Sequence, residues 1–215
     1  FSMKGESKMK KLLFAVSALA ALSLLAPSSG FAQHVYYNQI GLYMDSNGMG
    51  ATGTDVVGTP VDVFLVLTRP ADGDVVFPGV KAFECQLNFS PAGQMFKLGD
   101  ALIAEGLNIG DTDNIGLGYL EYIVGFSDVV ALQPDESVAL VSFTFMNLNP
   151  GVVEVTLGPP SVASIPGMMS FLPPSPPLMP MYPSGGTEDA PVFKFNDMAV
   201  AVENESFGAL KALYR

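Results

Sequence analysis

The chain has 215 residues, and 21 acidic against 10 basic residues give it a formal net charge of −11. Such a surface repels phosphate backbones and anionic membranes, which sets nucleic-acid binding aside. One cysteine, Cys85, rules out an intrachain disulfide, and one histidine, His34, rules out a histidine-rich zinc or copper site.

Phe1 and Ser2 stand before Met3 and read as a start scar. Lys8, Lys10 and Lys11 lead into the apolar run LLFAVSALAALSLLA (12–26), and Gly30 and Ala32 are small residues at the minus-three and minus-one positions of a cleavage point. That order predicts a secretory signal peptide over 1–32 rather than a membrane anchor, since a spanning helix needs about 20 apolar residues. Its removal leaves 6 basic and 20 acidic residues. The expectation is an exported protein of the periplasm, cell surface or medium, with no membrane span once the leader is gone. Exported domains often rely on disulfides; this one depends on its core, and residues 33–205 are long enough to form one as a single domain.

Beyond the leader the dominant period is two. A strand is expected over 35–44, followed by the Gly-rich loop DSNGMGATGTD and the strand PVDVFLVL, with Val61, Val63, Leu65 and Leu67 inward and Asp62 outward. FECQLNF alternates Phe83, Cys85, Leu87 and Phe89 on a core face with Glu84, Gln86 and Asn88 on a wet one. GDALIAEG (99–106) is predicted as a short helix and 119–126 as a strand. ALVSFTF puts Ala139, Val141, Phe143 and Phe145 on one face, and VVEVTL does the same with Val153, Val155 and Leu157. Between these two lies NLNPG. Pro150 presets φ for the first central position of a tight turn and Gly151 tolerates positive φ at the second, so a hairpin is expected.

The stretch 158–191 breaks the rhythm. Residues 158–186 hold more than half of the seventeen prolines, and proline has no backbone donor, so the segment is predicted as a Pro- and Met-rich loop packed on the sandwich. A last strand is expected over 192–202, and the tail SFGALKALYR (206–215) could form a short helix. Many short strands separated by turn residues give the fold class: all-β, an antiparallel jelly-roll-like β-sandwich with a long Pro-rich loop before its last strand.

The catalytic inventory is thin. A Ser–His or Cys–His pair would have to use His34, two residues past the predicted cleavage point. Cys85 falls on an inward strand position, where a thiol is inert. No phosphate-binding or dinucleotide glycine motif occurs. Calcium is the cofactor that the acids could hold, because it takes carboxylate, amide and carbonyl oxygens. Asp45, Asn47 and Asp55 in the Gly-rich loop are candidate ligands, as are Asp111 and Asp113 in GDTDN. Met49 and Val56 stand where an EF-hand needs oxygen ligands, so the Gly-rich loop is not an EF-hand. The alternative for both is a turn capped by its own Asp and Asn side chains.

From Val61 to about Leu157 the order of features resembles a cohesin module. The matching stretches are PVDVFLVL, then GVKAFECQLNFSPAGQMFKLGDAL, then YIVGFSDVVALQPDESVALVSFTFMN. PDES departs from the family's acidic residue and glycine at that turn. The resemblance implies a jelly-roll sandwich and a non-catalytic extracellular module that binds a protein or glycan through a sheet face or its loops. No residue here matches a dockerin-contacting position, so dockerin recognition is not carried over.

The leading expectation is an exported, non-enzymatic binding or structural module with a protein partner favoured over a glycan. Tyr36, Tyr37, Tyr43, Tyr119 and Tyr122 could stack a sugar, but the chain has no Trp, which does so best. Two alternatives stand beside it. One is a polysaccharide-acting hydrolase using paired carboxylates. The other is a subunit of an extracellular matrix or filament, joined through the Pro-rich loop or an edge strand.

Overall fold

The structure is a computed structural model that describes residues 37–53 and 56–197. The predicted leader and the C-terminal tail lie outside the described residues. Among the described residues no helix is long and apolar enough to cross a membrane.

Period-two alternation yields strands throughout. In chain order they are β1 (Gln39–Tyr43), β2 (Thr52–Gly53), β3 (Pro60–Thr68), β4 (Ala71–Asp72), β5 (Val75–Val76), β6 (Gly79–Ser90) and β7 (Met95–Leu102). There follow β8 (Gly106–Asn108), β9 (Tyr119–Ala131), β10 (Ser137–Asn147), β11 (Val153–Gly158), β12 (Met169–Leu172), β13 (Met179–Pro183) and β14 (Phe193–Phe195). A 3-10 turn at Ile115–Leu117 precedes β9.

One sheet runs β13–β1–β3–β10–β7, and the other runs β8–β9–β6 before it forks. Residues 86–90 of β6 pair with β11, which continues to β14 and β2, while residues 82–84 pair with β12. Pairing is antiparallel except for β1 with β13 and β14 with β2. The all-β sandwich expected from the alternation is thus what the chain forms.

The two inner faces meet as predicted. Val63, Leu65 and Leu67 of β3 and Phe143 and Phe145 of β10 are buried with Phe83, Cys85, Leu87 and Phe89 of β6. Aromatic edges lock the sheets together: Phe145 meets Phe89 at 5.5 Å and Phe195 at 5.7 Å, both T-shaped, and Phe143 meets Tyr122 at 5.5 Å. Edge-to-face pairs of this kind add about 0.5–1.5 kcal/mol each beyond the area they bury.

Four expectations need correction. NLNPG does not close a hairpin. β10 pairs with β3 and β7, whereas β11 pairs with β6 and β14, so the segment carries the chain from one sheet to the other. Gly151 has no positive φ there. GDALIAEG is not helical, because Ala101 and Leu102 complete the ladder of β7 against Ser142 and Val141 of β10. Pairing with an apolar neighbour outweighs the local helix preference of a short segment. In β10 a bulge between Ala139 and Val141 inserts Leu140, so Ala139 sits opposite Val66 on the outer face instead of with Val141. A single inserted residue reverses the parity of everything before it.

The fourth correction concerns the Pro-rich stretch. It is loop over 159–168 and 173–178, yet it also carries β12 and β13, and their ladder joins β6 of one sheet to β1 of the other. The prolines of β13 fall where they are tolerated. Tyr182 and Ser184 donate their N–H groups to Asn38 and Ile40 of the β1 side, at 2.9 and 2.8 Å. By strand parity Pro180 faces that side before β1 begins, and Pro183 faces β12 beyond its last pair, Met169 with Met181. Neither missing donor leaves a hole in the ladder.

Candidate binding face

Because Phe83, Cys85 and Leu87 point inward, Ala82, Glu84 and Gln86 of β6 project from the outer face of the second sheet. Register extends this into rows across the strands. Leu107 of β8 lies opposite Gly125 of β9, which lies opposite Ala82 and then Leu172 of β12. In the next row Ile109 donates its N–H to the Ile123 carbonyl at 3.0 Å, and Ile123 lies opposite Glu84 and then Ser170.

Leu107 and Ile109 are 68% and 72% exposed, although they sit on a pleated face. Gly110 lets this edge approach: a side chain there would strike the Glu121 backbone carbonyl. With only hydrogen at that point, the Asp111 carbonyl accepts the Glu121 N–H at 2.8 Å, and 109–111 runs along β9.

The face is not wet where the alternation predicts it. Glu84 is only 5% exposed. The loop 159–168 covers it, and its carboxylate accepts three hydrogen bonds: from Ser164 N–H at 2.7 Å, Ser164 Oγ at 2.8 Å and Ser170 Oγ at 2.6 Å. Glu121, on the neighbouring strand, accepts the Ser161 N–H. These donors lie 40 to 86 residues away in the chain, and no local pattern announces them. The two acids that come closest to the shielded pair a glycosidase needs therefore hold the Pro-rich segment onto the sheet. Beside Glu84 opens a cleft of about 110 Å³ lined by Ala82, Ile123, Ser164, Ser170 and Leu178 among others. Sites for small molecules commonly measure ~300–1,000 Å³.

The candidate calcium loops cap themselves. Asp45 Oδ1 accepts the N–H groups of Asn47 and Met49 at 3.0 and 2.9 Å. Asp111 accepts the Asp113 N–H at 3.1 Å and the Asn114 side-chain amide at 2.6 Å. Asp55 lies outside the described residues. Among those described, no three His, Cys, Asp or Glu side chains gather where they could hold a metal.

Nor do the tyrosines share a strip. Tyr36 lies outside the described residues. Tyr37 donates to Asp74 at 3.3 Å and sits under Arg69, whose guanidinium carbon is 5.2 Å from the ring centre. Tyr43 pairs with Phe64 on the first sheet, and Tyr119 accepts from the Asn114 amide on the second at 2.7 Å. Tyr122 is a core residue, 1% exposed, and so is no platform. Its hydroxyl donates to Asp100 Oδ2 at 2.5 Å, and Lys97 Nζ meets Oδ1 of the same carboxylate at 3.1 Å. Burial first, and then the Asp100 contact, push the phenol well above its ordinary value, and burial likewise pushes the Cys85 thiol up.

No family model matches the sequence, and no curated protein is significantly similar to it. Solved structures similar to the chain include the cohesin module of a family 33 glycoside hydrolase from Clostridium perfringens, 10% identical with a TM-score of 0.46, over 74% of this chain and 98% of that one. The second type II cohesin module of the cellulosomal adaptor ScaA scaffoldin from Acetivibrio cellulolyticus is 13% identical with a TM-score of 0.47, over 75% of this chain and 98% of that one. A type III cohesin module from the ScaE cell-surface anchoring scaffoldin of Ruminococcus flavefaciens is 10% identical with a TM-score of 0.41, over 66% and 77%. In its quoted strand motifs and in these comparisons alike, what the chain is similar to is a cohesin module.

Proposed function

We propose that this chain is an exported, non-catalytic binding module that receives a protein partner on the outer face of its second sheet. One observation carries the reading. Leu107 and Ile109 stand largely in water in two adjacent rows, the first continuing through Gly125 to Ala82 and the second beginning with Ile123. Apolar side chains grouped on an otherwise acidic surface mark a contact site, and a rigid sheet presents them without ordering cost. The resemblance to cohesins points the same way, and the leader expected over 1–32 supports export.

A protein suits this face better than a glycan. The tyrosines are dispersed, and the cleft beside Glu84 is too small for a sugar ring with its neighbours. The test uses the mature chain and a Leu107→Asp, Ile109→Asp pair as baits in the secreted and surface fraction of the source organism. The partner retained by the first is then titrated against both. The expected result is a loss of at least about 100-fold in affinity, as for a central apolar contact, with an unchanged melting temperature. Equal affinity for both baits would sink the proposal. A glycan array showing saturable binding lost in Tyr37→Ala, Tyr43→Ala or Tyr119→Ala would replace the protein partner with a sugar.

A further inference from the structure

We infer that the cleft beside Glu84 is an anchor pocket for one lysine side chain of the partner, an inference that rests on the docking face proposed above. Glu84 is a carboxylate 5% exposed whose held donors are all neutral: the Ser164 amide, the Ser164 hydroxyl and the Ser170 hydroxyl. The ion pairs among the described residues join Arg69 to Glu136, Lys97 to Asp100 and Lys194 to Glu154, so dipoles alone meet the charge of Glu84. A carboxylate offers about four acceptor positions. Three are taken, two on Oε1 and one on Oε2, which leaves one on Oε2.

The cleft around this acid measures about 110 Å³, and Ala82, Ile123 and Leu178 supply apolar wall. That volume suits one extended side chain. An apolar chain would leave the last acceptor position desolvated and unfilled, and an acidic one would be repelled. A basic chain lays its methylenes along the wall and brings its charge to Oε2. The single open position selects between the two basic residues. A guanidinium binds best through two parallel hydrogen bonds, whereas an ammonium is a compact point charge that needs one. The net charge of −11 favours the approach of such a partner.

The experiment follows the methyl NMR signals of Ala82, Ile123 and Leu178 while N-acetyl-lysine methylamide or N-acetyl-norleucine methylamide is added to the mature chain. Saturable shifts with the lysine compound, at least about fivefold weaker with the neutral one, are expected. Glu84→Gln should erase the difference. Because that change also touches the serine clamp, Ala82→Met serves as a second variant: it fills the cleft, leaves Glu84 and its serines in place, and should block the lysine shifts. Equal response to the two compounds, no response to either, or a lysine response that survives Glu84→Gln would overturn the anchor. If the lysine compound fails while Leu107→Asp, Ile109→Asp still abolishes partner binding, the anchor falls and the face stands. If lysine titrates but that pair leaves partner affinity unchanged, the face falls and the pocket stands.

Discussion

Tyr122 is a sugar platform by residue type and a core residue by position. Its alternation with Leu120 and Val124 marks it as inward, and the structure buries it against Phe143 with its hydroxyl on Asp100. Tyr122→Phe removes a hydrogen bond to a charged acceptor, which is expected to lower stability by about 1.5–3 kcal/mol, read as a shift in the urea midpoint. The raised phenol and the raised Cys85 thiol make a second prediction. Folding holds both protonated, so their contribution is complete below the ordinary values of 9.0 and 10.0. It drains away as pH climbs past them, because the unfolded chain then releases protons that the folded chain keeps. Urea midpoints between pH 7 and 11 should fall with pH, and the Tyr122→Phe midpoint should fall less steeply. At Asp45 the carboxylate already caps Asn47 and Met49. Added calcium is therefore expected to leave the melting temperature unchanged, and a rise that vanishes in Asp45→Ala would restore the calcium reading.

At the scale of elements, the alternation of β3, β6, β9, β10 and β11 was open to reading because each buries one face, and burial imposes period two. What escaped was whatever depends on a remote partner. Pro150 and Gly151 look like a turn in any sequence, but only the pairing of β11 with β6 decides that the chain changes sheets there. The bulge at Leu140 leaves no mark in an apolar run. Prolines concealed β13, since the sequence does not say on which side its neighbours end. Glu84 looked solvated for the same reason: the serines that cover it lie 80 and 86 residues away. Those serines supply a prediction for the element they anchor. Ser164→Ala and Ser170→Ala should each cost about 1.5–3 kcal/mol, as losses of donors to a buried charge, and less than additively together because they share Glu84. Hydrogen exchange should quicken first across 159–172, and unchanged protection there would show that the carboxylate does not hold the segment.

For the whole molecule, the excess of 21 acidic over 10 basic residues stores self-repulsion that the core must overcome. The ion pairs of Arg69 with Glu136 and Lys194 with Glu154 are largely exposed and offset little of it. Raising sodium chloride from 10 to 150 mM shortens the screening length from about 30 to 8 Å, so the melting temperature should rise. A fall would mean that attraction, not repulsion, dominates the surface.

The ladder β6–β12–β13–β1 has a consequence for how the molecule is made. β1 is among the first strands synthesised, yet one of its two neighbours is β13, and Gln39 waits for Tyr182. A ribosome adds residues at roughly 5–20 per second, so β1 spends many seconds with one edge bare. During that interval the seam between β6 and β1 stays open until β12 and the proline-bearing β13 arrive to close it. Prolines that look like obstacles to a sheet thus sit on the strand that covers β1, where an unpaired edge would otherwise invite a neighbouring chain.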